Sequence, residues 1–123
     1  MRLVLATIGV VLIAVGVSAL IVPDVLATAF GIPADTAASR AYVAATGTRD
    51  IAMGCWLLAL MRLGAAARVL AASVFAMALV AAGDAANVVA HSGGRGSIAL
   101  IGHVASLVLL VAVGGWLWRG SAG

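Results

Sequence analysis

Four stretches of about twenty apolar residues each constrain this chain more than anything else in it. They run from Leu3 to Val22, from about Arg40 to Met61, from about Arg68 to Ala90, and from Ile98 to Trp118. A helix of that length covers a hydrocarbon core of roughly 30 Å. In lipid a backbone must satisfy its own hydrogen bonds, so each stretch is expected to be helical, and so few spans cannot close a barrel. The expected fold is all-α: a four-transmembrane-helix up-down bundle, one integral membrane domain over residues 1–123. Composition agrees, since 65% hydrophobic residues, 9% charged residues and a mean hydropathy of +1.25 are more than a soluble domain can hide.

Turn-forming residues separate the stretches. Pro23 closes the first, "FGIP" (Phe30 to Pro33) breaks the chain again, and "HSGGRGS" (His91 to Ser97) divides the third from the fourth. The connection over residues 23–39 is the long one, and its "VLATAF" part is expected to lie in the membrane interface as a lid. Val17-Ser18-Ala19 resembles a signal-peptide cleavage site, but the apolar run continues to Val22, so a retained span is expected.

The arginines mark orientation. Arg2, Arg62, Arg68 and Arg119 fall on one side; Arg40 and Arg95 fall on the other, offset by Asp24 and Asp35. Positive residues favour the cytoplasmic side, so both termini are expected in the cytoplasm, in the cell (inner) membrane. Trp116 and Trp118 then lie at the cytoplasmic interface. Arginines that punctuate spans do not form the basic face of a nucleic-acid binder, and no nucleic-acid partner is expected. Cys55 has no partner for an intrachain disulfide and reads as a small buried hydrophobe.

Against this apolar background, "TGTRDIAMG" (Thr46 to Gly54) places Arg49 and Asp50 in mid-span. Either charge at a helix centre costs about 2.5–3.5 kcal/mol, so the bundle must receive them. Adjacent residues point about 100° apart, so at least one needs a partner on another helix. Counted inward from the non-cytoplasmic ends at about 1.5 Å per residue, Asp84 and His103 lie roughly 9 Å deep and Arg49 and Asp50 roughly 14 Å. An arginine side chain spans that difference.

Periodicity extends the cluster. Tyr42, Thr46, Arg49 or Asp50, and Met53 share one face; Met77, Val80, Asp84, Asn87 and His91 share another; His103 and Ser106 stand on the fourth stretch. Met53 and Met77 read as core filler and His91 as a residue of the water boundary. Thr7 and Ser18 are the polar residues of the first stretch, whose Gly9 and Gly16 point to close packing. Ala78, Ala82 and Ala86 read as a close-packing face, and such small-residue faces also suit a homo-oligomer. Hydrogen bonds between membrane helices return about 0.6 kcal/mol each, less than the insertion cost, which favours function over a purely structural clamp. No HxxxH or HxxE spacing supports a metal, and no phosphate loop, nucleophile elbow or haem pattern occurs, so neither metal nor cofactor is expected.

The segment "YVAATGTRDIAMGCWLLAL" (Tyr42 to Leu60), preceded by "PDVLATAFGIP" (Pro23 to Pro33) and followed by Asp84 and His103, resembles a family of small four-helix membrane proteins of unknown function, loosely DoxX-like. Its most specific part is the G-x-R-D-x-x-x-G core from Gly47 to Gly54. The resemblance implies the four-helix layout and supplies no activity.

The residues themselves point to a polar site for a lipophilic small molecule. Asp84 and His103 would exchange a proton, Arg49 and Asp50 would complete the catalytic set with Arg49 fixing a carboxylate or developing negative charge, and Tyr42, Thr46 and Asn87 would line the ligand. Isomerisation, cyclisation or epoxide opening suits such a set. A small proton-coupled transporter working through Asp50, or a non-catalytic assembly subunit, are the alternatives; whether the chain is an enzyme stays open at this level.

Overall fold

The structure, a computed structural model, describes residues 1–31, 34–91 and 97–120. Five α-helices follow one another: α1 (Arg2–Ile21), α2 (Pro23–Ala29), α3 (Ala37–Arg62), α4 (Ala67–His91) and α5 (Ser97–Arg119). No strand occurs among the described residues. Three helical segments are long and apolar enough to cross a membrane: α1, α4 and residues Ile98–Arg119 of α5. Only 22%, 28% and 11% of these spans is buried within the protein, so the remaining apolar surface has to be covered by lipid. The protein is a helical membrane protein. The expected count of four is met by three helices on composition; α3 has the length, at 26 residues, but carries Arg49 and Asp50 in its middle.

Local sequence explains the boundaries. Val22 ends α1 and Pro23 starts α2 at a position where a missing N–H costs nothing. Within this connection α2 covers Pro23–Ala29. α3 opens on a capping box: the Ser39 N–H donates to Thr36 Oγ1 at 3.1 Å, and the Thr36 N–H donates to Ser39 Oγ at 2.9 Å. It closes on Gly64, whose φ of +68° suits a residue without a Cβ, with Ala65 N–H donating to Leu60 O and Gly64 N–H to Met61 O. The expected breaks at Ile32–Pro33 and over Ser92–Gly96, with Arg95, lie outside the described residues.

The long helices pack as two antiparallel pairs, α1 with α3 and α4 with α5. Small residues set the first seam. A Cβ built on Gly47 would stand 2.6 Å from Gly16 O, and one on Gly54 would stand 2.5 Å from Gly9 O, so the two backbones touch at two points seven residues apart. The two pairs join near the chain termini, where Leu5, Leu57, Ala71, Val74, Met77, Val113 and Leu117 form one buried cluster. The end of the bundle that carries this cluster also carries Arg2, Arg62, Arg68 and Arg119, and Arg68 stacks over the Trp118 ring at 6.0 Å. α2 sits at the opposite end, where Arg40 reaches Asp24 at 3.5 Å.

Two expectations change. Cys55 is exposed rather than buried, because it lies on the flank of α3 away from the faces that meet α1 and α4. On α4 the buried face runs through Ala71, Val74, Ala78, Ala81 and Val88, so Ala78 belongs to it while Ala86 is exposed.

Candidate functional site

The glycines that bring α3 against α1 also orient the charges between them. Gly47, Asp50, Gly54 and Leu57 form the buried face of α3, so Asp50 is pressed into the bundle at 7% exposure, the buried charged residue of the described chain. Arg49, one residue earlier, is turned toward α4. Its Nη1 donates to Asp84 Oδ1 at 3.4 Å and its Nη2 to Asp84 Oδ2 at 3.1 Å, a two-pronged pairing across helices. The same guanidinium bends back along its own helix: Nε and Nη2 donate to Asp50 Oδ1 at 3.2 and 3.1 Å.

That second pairing departs from expectation. The angular separation of adjacent residues applies to their Cβ directions, and a long flexible side chain closes it. Four of the five guanidinium N–H groups are thereby taken by two carboxylates. One N–H of Arg49 is left beside the cavity that the residue lines.

Two adjoining cavities open beside this clamp. One, of about 650 Å³, is lined by Tyr42, Thr46, Arg49, Asp84, Asn87 and His91 together with Phe30 and His103. The other, of about 310 Å³, lies between α1 and the α4/α5 pair, with Thr7, Asp50, Met53, Met77, Asp84 and Ser106 in its wall. Phe30, Asp84 and His103 line both. Tyr42, Thr46, Arg49, Asp50, Asp84, Asn87 and His103 thus line one or both of two cavities that share wall residues.

Individual positions differ from one another. Thr46 turns its hydroxyl to Val43 O at 2.7 Å, and Tyr42 is largely exposed at the rim. His91 ends α4 in an exposed position, its Nδ1 3.1 Å from Asn87 O. His103 does not bond to Asp84: its ring packs on Phe30 instead, with centroids 5.7 Å apart and planes tilted by 56°. The two residues line the same cavities, with no hydrogen bond or ion pair between them. Among the described residues no three His, Cys, Asp or Glu side chains gather as metal ligands.

Phe30 is the residue that sequence reasoning passed over. It follows α2 in a stretch too short for helical periodicity, and the weak signal available was an aromatic side chain in an otherwise small-residue connection.

Residues 9–117 match the family described as Domain of unknown function (DUF4267), and the chain belongs to that family. No curated protein and no solved structure matches it.

Proposed function

We propose that the protein binds a lipophilic small molecule in the two cavities beside the Arg49 clamp and converts it by acid/base chemistry. One observation carries this reading: Asp84 and His103 line the same two cavities without bonding to each other. An acid and a base that serve one substrate must both reach the space it occupies. Arg49 holds the Asp84 carboxylate in place, which makes it a positioning residue along with Asp50. Tyr42, Thr46 and Asn87 line the approach from the α2 end.

Within this reading α3 is the fourth span, its charges carried by Asp84 and its glycine face by α1, and the bundle is an up-down one. The arginines at one end support a cytoplasmic location for both termini in the inner membrane. Gly9 and Gly16 are used inside the chain, so a homo-oligomer would rest on the open glycines of α4 and α5, Gly83 and Gly102.

The test compares Asp84→Asn, His103→Gln and Asp50→Asn, each scored for melting temperature and for conversion of any hydrophobic compound extracted with the purified wild-type protein. Acid/base chemistry predicts that Asp84→Asn and His103→Gln stay folded and lose turnover, because neither replacement transfers a proton near neutral pH. A carrier working through Asp50 tolerates His103→Gln and fails with Asp50→Asn. Full activity in all three variants contradicts the site.

A further inference from the structure

The clamp carries one more carboxylate than its own residues neutralise. Asp50 and Asp84 share a single guanidinium, and the ion pairs among the described residues bring no second cation to either. The histidines of the cavity wall, His91 and His103, make no ion pair with them, and His103 lies against Phe30. With both carboxylates ionised the trio carries a net negative charge, and a poorly screened site attracts a positive group more strongly than water would allow.

The rest of the wall has the complementary character. Phe30, His103 and Tyr42 present ring faces or edges to the larger cavity, and Val11, Leu12, Val15 and Val80 make the smaller one apolar. Aromatic faces favour weakly hydrated cations, and aliphatic walls favour an apolar body. An anionic ligand meets the opposite conditions, since the guanidinium at the site already donates to two carboxylates.

We infer that the site takes a lipophilic monocation, such as a protonated or quaternary amine, with its positive centre beside the Asp84 carboxylate and against the ring of Phe30. Asp84 is the receiving acid: its side chain is 29% exposed and it lines both cavities, whereas Asp50 is 10% exposed and turned toward α1. The inference rests on the ligand-binding reading above and names the charge class of what binds.

Two isosteric probes of opposite charge test it. Purified full-length protein in neutral maltoside micelles is titrated calorimetrically with tetraphenylphosphonium and, separately, with tetraphenylborate. The expected result is at least tenfold tighter binding of the phosphonium. Asp84→Asn should remove that preference, while Asp84→Glu, which keeps the charge, should retain most of it. Thr46→Trp, which fills the larger cavity, should weaken both probes. Equal or tighter binding of the borate, still sensitive to Thr46→Trp, overturns the charge inference and leaves the cavity in place as a ligand site. Binding of both probes that ignores Thr46→Trp, or no binding of either, places neither ion in the cavity and overturns the ligand reading together with the inference.

Discussion

At the arginine end, apolar side chains from α1, α3, α4 and α5 meet in one buried cluster, beside an open apolar groove of about 680 Å³ lined by Trp56, Arg68 and Trp118; toward the α2 end a charged trio lies beside two cavities that Asp84 and His103 share. Lipid gives helices no hydrophobic reason to associate, so the first region is held by close packing alone. The second gives up packing and takes on charges whose insertion is costly. The contrast teaches that packing and ion pairing hold different parts of the same bundle.

Breaking the charged half should have the largest effect. Arg49→Ala leaves two carboxylates facing each other without a counter-charge, a loss of about 3 kcal/mol, at the low end for a buried pair because the guanidinium is partly exposed. Adding Asp84→Asn to Arg49→Ala should recover part of it, and strictly additive losses in detergent melts would show that the two residues do not interact.

The seam between α1 and α3 sharpens the comparison from the other side. Gly47→Ala drives a methyl group into the Gly16 carbonyl and should cost about 2–3 kcal/mol through separation of the helices. Gly83→Ala and Gly102→Ala, at positions with open space, should leave the melting temperature unchanged or slightly raised. In the closed half, Leu57→Ala should cost about 2 kcal/mol, less than a typical core truncation in a soluble protein, since the lost contacts are penalised but transfer to lipid is not. Removing the capping box with Thr36→Ala should cost about 1 kcal/mol, read as a small drop in the same melts.

Much of this layout is readable in the sequence because it is periodic. Gly9 and Gly16 announce a packed face, and the polar residues of the second and third apolar stretches repeat at helical spacing, so depth and face place Asp84 opposite Arg49. Periodicity does not report what a long side chain does at its tip. The return of Arg49 to Asp50 depends on guanidinium reach rather than on Cβ direction. Nor does it report contacts from an irregular connection: Phe30 meets His103 across 73 positions of chain, with no repeat to signal it. Cys55 was misplaced for a third reason. In a membrane protein an apolar residue is as well satisfied facing lipid as facing the core, so hydrophobicity ceases to distinguish inside from outside.

The division into a closed half and an accessible half is tested most directly by thiol accessibility. In a Cys55→Ser background, Thr46→Cys in the cavity wall and Val74→Cys in the buried cluster are treated separately with a membrane-impermeant thiosulfonate reagent in detergent, with and without tetraphenylphosphonium. The account predicts rapid modification at position 46, slowed by the cation, and none at position 74 on the same timescale. Equal reactivity at the two positions, or a position 46 as inert as position 74, would contradict it.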